Sequence, residues 1–341
     1  MTPADLLPQT LPARIARFPF PFPRDEYRYT ANVQPAPAFE PTVVGGWGDT
    51  VVEVDEHYLA ELEERAEILA EDPERSITLP HMKAAAWDAV LYTLQGFADA
   101  RPDVARLSID GDRVRWENDL LNTAIEFVVG DESTLPLDPL TWVGTQVQED
   151  ICLLDQREGH LWLDAGLVTF AADWSLAFDI GMSFLEFHGP VPRVHEAGVM
   201  PAAEQFLMRL TPEQAYRRTN WTLTIDRRMD VSTEKYDVWG KDRRLLTLEE
   251  VGERVHLRVE VQHLVRLPVS GAVMFYIRSS MLPMHELLLV PEWAARARAV
   301  IEELPEDMAD YKGIARYRHL VVQWLDAQLE ADDPQSAAEA A

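Results

Sequence analysis

An α+β fold is predicted for this chain of 341 residues, and three observations predict it. Apolar residues recur at helical spacing near both ends of the chain. Between them lie short apolar segments, one of which alternates with polar residues over eight positions. No internal repeat and no clear linker divides the sequence, which favours one elaborated domain over two.

The elements follow in order. Residues 1–50 are rich in proline and aromatics and predict an extended arm, because proline stiffens the chain and removes backbone donors. Asp55 is placed to cap a helix in which Tyr58, Leu59, Leu62, Ala66 and Leu69 recur at helical spacing. Pro80 to Ala98 predicts a second helix, and Pro136 to Val147 a loop entering a short one. Strands are predicted at Ile151–Leu154, Leu161–Ala172, Arg218–Asp226, Val255–Leu267 and Ala272–Ser280. In the fourth of these, Val255, Leu257, Val259 and Val261 alternate with His256, Arg258, Glu260 and Gln262, so one face is apolar and the other polar. Phe206–Leu210 and Glu213–Tyr216 read as helical, as do Trp293–Leu304 and Ile314–Leu329. The domain is therefore expected over 51–330, with 331–341 an acidic, alanine-rich, frayed tail.

Composition narrows the function classes. Hydrophobic residues make up 47% and charged residues 26%, which suits a globular protein with a substantial core. A single cysteine excludes a disulfide framework and any cysteine-rich zinc or iron–sulfur site in this chain. The apolar runs are too short or interrupted to span a bilayer, and the N-terminus lacks a signal-peptide core, so a cytoplasmic location is expected. The formal net charge of −27 repels phosphate backbones and anionic membranes, and favours cationic ligands or basic partners. GxGxxG and P-loop signatures are absent, and Gly45-Gly46-Trp47-Gly48 precedes no lysine–threonine pair.

The segment Phe187-His188-Gly189-Pro190-Val191-Pro192 carries the most chemistry. Two prolines fix the backbone beyond His188, and Gly189 permits close approach of something bulky. A histidine held stiffly beside apolar walls suits an axial ligand of a metal or haem; the alternative is a buried histidine with its hydrogen bonds satisfied. His195, just past the elbow, and His263 are the competitors. Cys152, in an apolar segment with no basic neighbour, reads as an inert buried thiol. Glu149 and Asp150 precede an apolar strand, where a carboxylate can hold an ammonium group and take its proton, or can simply be solvated. Arg193, Arg218, Arg258 and Arg266 are candidates for bidentate contacts to carboxylates, and Trp221 and Tyr276 for pocket walls.

Several pieces, in order, resemble the haem-dependent oxidative N-demethylase alpha-subunit-like family. They are Phe18-Pro19-Phe20, Asp55-Glu56-His57-Tyr58 with Arg65, Gln148-Glu149-Asp150, the His188 elbow and Arg218-Thr219-Asn220-Trp221. Arg266 to Arg278 and Tyr311-Lys312-Gly313 complete the set. The segment Glu260-Val261-Gln262-His263 departs from the Glu-Arg-Gln-Thr common among relatives.

The resemblance implies a PAS-like antiparallel sheet gripping haem b, with helical additions at both ends. It implies an enzyme that removes an N-methyl group from a small secondary amine as formaldehyde, using dioxygen. Electrons would come from partner reductase subunits carrying NADPH, FMN and an iron–sulfur cluster. His188 would hold the iron, Glu149 or Asp150 the substrate cation, and Arg193, Arg218, Arg258 and Arg266 with Trp221 the cofactor. A non-enzymatic haem or small-ligand sensor, and an oxidase of the same fold acting on another substrate, are the alternatives.

Overall fold

Twelve strands, numbered β1–β12 in chain order, organise the chain in the computed structural model, which describes residues 11–193 and 198–331. They are Gln34–Ala36, Glu40–Thr42, Gly45–Trp47, Ser76–Thr78, Ala105–Asp110, Arg113–Asn118, Thr123–Val128, Asp150–Arg157, His160–Leu167, Ala215–Ile225, Val255–Arg266 and Val273–Pro283. Seven of them form one antiparallel sheet in the order β1-β10-β11-β12-β8-β9-β4. β2 pairs with β3, and β5, β6 and β7 form a separate three-stranded meander. The mixed α+β reading therefore holds, with a large antiparallel sheet as its centre.

All twelve residues of β11 are buried, so its polar face is as enclosed as its apolar one. Alternation in the sequence distinguishes the two faces; it does not say that the polar one meets water. On the apolar side, Leu257 and Val259 pack with Leu223 and Leu282 against Trp293, Val300 and Leu325 of the C-terminal helices Pro291–Glu303 and Arg318–Ala331. Further along the same face, Met274, Tyr276 and Ile151 pack against the helix Lys83–Ala100 and the meander, through Val90, Leu94, Trp116 and Phe127. The opposite face carries Cys152, Leu154, Leu264 and Val273, covered by Leu176, Phe184, Leu207 and Leu210 from the β9–β10 connection.

Three local readings change. Glu213–Tyr216 is not helical: the strand begins at Ala215, and Tyr216 pairs with Leu264. A helical propensity over four residues loses to a ladder that satisfies their backbone groups. The preceding helix runs over Val199–Leu207 rather than starting at Phe206. The meander over 105–128 escapes the apolar-segment reading because only Ala105, Val114, Trp116, Asn118 and Phe127 of its strands are buried. Asp55 does act at the start of the helix Tyr58–Glu71, but from two residues before its N-cap, accepting the His57 N–H at 2.8 Å.

A buried ion pair fastens this helix to the sheet. Arg65 donates to Asp150 Oδ1 at 3.0 Å and to the carbonyls of Gly144, Val147 and Gln148 at 2.8, 2.6 and 2.9 Å. Asp150 also accepts from the backbone N–H groups of Thr169 and Phe170. With Arg65 Nε donating to Thr169 Oγ1 at 3.0 Å, five donor–acceptor contacts on a planar cation require its helix, the 144–148 turn and β8 to be in register. Among the described residues, no helix is long and apolar enough to cross a membrane.

Replacing Asp150 by alanine leaves the Arg65 guanidinium buried without its counter-charge. A loss of about 3–5 kcal/mol is expected in urea-unfolding experiments, whereas substitution at the exposed pair Arg193–Asp307 should leave the urea midpoint nearly unchanged.

Candidate functional site

His188 closes the short helix Phe184–Phe187, which begins at a capping box between Ser183 and Glu186. The ring lies 4.3 Å from Phe184 and 4.5 Å from Phe187, centroid to centroid. Its Nδ1 donates to the Phe184 carbonyl at 2.8 Å, which fixes the tautomer and leaves the Nε2 lone pair free. Apolar surroundings push the imidazole down to about 4, so it is neutral at physiological pH. Gly189 serves the turn itself, since a Cβ there would sit 2.9 Å from the Glu186 carbonyl.

The β9–β10 connection holds His188 over the sheet face that bears Arg218 and Asn220 of β10 and Glu260 and Gln262 of β11. These residues are direct cross-strand partners. Arg218 is the charged group that His188 feels. Its Nη1 donates to Gln262 Oε1 at 2.9 Å and its Nε to the Ala31 carbonyl at 3.2 Å. Lys312 reaches the same region from the C-terminal segment, its Nζ 2.6 Å from the Trp221 carbonyl and 3.3 Å from Asn220 Oδ1. Burial lowers Lys312 to about 8.

Glu260 stands between these cations. Its Oε2 accepts from Gln262 Nε2 at 3.0 Å and Asn220 Nδ2 at 3.3 Å, while Oε1 has only a 3.7 Å approach from Arg258. Tyr29 and Tyr311 are coupled to Arg218, and the Tyr29 hydroxyl donates to the Pro192 carbonyl at 3.3 Å, tying the N-terminal arm to the elbow. Glu260, Gln262, Lys312 and Tyr311 were not singled out as site residues from the sequence. The polar half of the β11 alternation was the signal that could have found the first two.

The other expected site residues go elsewhere. Arg258 donates to the carbonyls of Met229 (2.7 Å) and Phe170 and to Ser279 Oγ, locking two loops to the sheet. Arg266 caps the helix Val199–Leu207, donating to the carbonyls of Leu207 and Met208 at 3.1 and 2.9 Å. Arg193 is exposed and pairs with Asp307. Trp221 lies on the apolar side of β10, its ring 4.9 Å from Phe22. Asp150 is occupied by Arg65 and two backbone donors. Glu149 is on the face turned away from His188, where its Oε1 accepts the Glu53 N–H at 2.8 Å. Cys152 is buried and its thiol is pushed well up by desolvation, as an inert thiol requires. His195 lies outside the described residues. His263 is buried, neutral, and on the Glu149 side of the sheet, its pKa lowered to about 3 by desolvation.

An α+β protein whose covered sheet face presents one free imidazole nitrogen beside two half-buried cations has the makings of a cofactor-binding protein. Residues 46–322 match the profile of the haem-dependent oxidative N-demethylase, alpha subunit-like family, and the chain belongs to that family. The residues present fit a haem. A neutral imidazole with Nδ1 bonded to a carbonyl is a prepared iron ligand. Arg218 and Lys312 outnumber Glu260 and suit two propionates, and Phe275, Ile277, Met200 and Phe206 are only partly buried beside Leu264 and Val273, which suits an apolar macrocycle.

Glu149 makes a pH signature. Burial raises its carboxyl from 4.5 to about 7, so the unfolded chain ionises first as pH rises. Stability from this group is complete below about 4.5 and is lost progressively towards pH 7, by on the order of 3 kcal/mol. Glu149→Gln is expected to remove that slope from the dependence of unfolding free energy on pH.

Proposed function

We propose that this chain is the catalytic subunit of an oxidative N-demethylase, in which a PAS-like sheet grips haem b and a small secondary amine is the substrate. The observation that carries the reading is His188: a neutral ring anchored through Nδ1, with Nε2 open above a face bearing Arg218, Lys312 and Glu260. The strand order β9-β8-β12-β11-β10, with the helical connection covering one face, supports the PAS-like description. Haem b supplies reductive activation of dioxygen when bound, and the electrons are those of NADPH passed through FMN and an iron–sulfur cluster on reductase subunits. The alpha-subunit-like relationship supports such an assembly.

The residues of this chain have separate tasks. His188 would hold the iron through Nε2, and the Phe184 carbonyl keeps the ring in the tautomer that allows it. Arg218 and Lys312 would hold the propionates, whose negative charge would offset theirs. Glu260 is the carboxylate on this face that meets a cationic amine, since Asp150 is occupied by Arg65 and Glu149 faces away. Its Oε1 accepts an N–H of the ammonium and holds the proton that the amine loses on the way to carbon–nitrogen cleavage. Secondary ammonium in an apolar pocket needs that counter-charge to offset desolvation. The N-methyl carbon leaves as formaldehyde.

Three measurements test the reading. In protein reconstituted with haem b, His188→Ala should lose or markedly weaken the Soret band while circular dichroism shows an unchanged fold; an unaltered Soret spectrum would remove His188 as the ligand. Glu260→Gln should weaken amine-induced changes in that spectrum by about 2–5 kcal/mol in binding free energy, and amine oxidation should require an added reductase.

A further inference from the structure

We propose that Asn220 and Gln262 are positioning residues, two amides that keep Glu260 apart from Arg218 and Lys312, so that one sheet face can hold a cationic and an anionic group side by side. The inference rests on the haem-side reading of Glu260, Arg218 and Lys312. The strand residues involved share a face, since Arg218 pairs across the sheet with Gln262, and Asn220 with Glu260. Gln262 Oε1 accepts from Arg218 Nη1 at 2.9 Å, while its Nε2 donates to Glu260 Oε2 at 3.0 Å. Asn220 repeats the pattern. Its Oδ1 accepts from Lys312 Nζ and its Nδ2 donates to the same Glu260 Oε2, both at 3.3 Å.

Each amide is thereby fixed in one orientation. A guanidinium or an ammonium only donates and an ionised carboxylate only accepts, so an amide between them turns its oxygen to the cation and its nitrogen to the carboxylate. Both amides end on one oxygen of Glu260. Its Oε1 is left for a ligand, with an approach from Arg258 Nε at 3.7 Å that is too long for a hydrogen bond.

Charge explains why amides stand there. Arg218 and Lys312 both feel the charge of Glu260, yet among the described residues neither forms an ion pair with it. Direct pairing would satisfy the three charges among themselves and leave none for a ligand. An interposed amide gives each charge a hydrogen bond without a counter-charge, so the cations stay available to an anion and the carboxylate to an ammonium. The two bindings are also coupled. An anion on Arg218 and Lys312 offsets the positive field that repels an ammonium at Glu260, so each ligand strengthens the other by the same factor.

The test uses the full chain reconstituted with haem b, and dimethylammonium chloride, the salt of the smallest secondary amine, against choline chloride at equal ionic strength. Two quantities are read: the amine concentration at half-maximal change of the Soret band, and the rate of haem loss to excess apomyoglobin with and without amine. The wild type is expected to show a saturable change and slower haem loss when amine is bound. Gln262→Met keeps the length of the side chain but removes its donor and acceptor, so Arg218 closes on Glu260. Amine affinity should then fall by at least about tenfold, and haem loss should quicken. Adding Glu260→Gln to Gln262→Met removes the group that captures Arg218 and should slow haem loss again, which a merely structural role of Gln262 does not predict. Asn220→Leu, alone and with Glu260→Gln, should act in the same way through Lys312 and serves if Gln262→Met fails to fold. An amine response unchanged in both amide variants, or haem loss from the double variant no slower than from the single one, overturns the inference alone. A wild type that takes up no haem, or whose Soret band ignores the amine, overturns the haem-side reading and the inference with it.

Discussion

A strand buried along its whole length needs partners for the polar side chains it carries, and on β11 all of these but His263 have them. Its apolar face needs only packing, which two helical layers supply. Its polar face needs specific donors and acceptors, because an unpaired buried polar group costs on the order of 1–3 kcal/mol. Arg258 is matched by loop carbonyls, Gln262 by Arg218 and Glu260, and Glu260 by Asn220. The connection that covers this face is therefore selected for carbonyls and cations as well as apolar bulk. His188 stands at the point where the apolar part of that cover meets the polar part.

The arginines divide accordingly. Arg65, Arg258 and Arg266 each bind several carbonyls and hold a helix end or loop to the sheet, the use for which a rigid planar fork of donors is suited. Arg218 is different: two contacts leave part of its guanidinium uncommitted, next to Lys312 and within the field of His188. A cation that structure has not fully used is the one available to a ligand.

The sheet itself separates two electrostatic environments. On the His188 side the half-buried cations Arg218 and Lys312 outnumber Glu260, whereas around Arg278 the carboxylates exceed the cations. Strand alternation makes this possible within one residue of sequence: Glu149 and Asp150 point to opposite faces and enter unrelated networks. Adjacent carboxylates that look interchangeable in the chain thus differ completely in what they touch.

The sequence by itself determined the element types over most of the chain, the two-faced character of β11, the stiff histidine elbow and the family. These depend on local periodicity, proline geometry and ordered motifs, all legible without knowing what lies across space. Glu213–Tyr216 and the 105–128 meander were not legible, because a strand edge or a shared sheet face decided them. Only the tertiary structure decided which carboxylate shares a face with His188, and that Lys312 comes to it from about 120 positions along the chain. Pairing register and the path of the covering connection set those distances, and neither leaves a signature in the residues it joins.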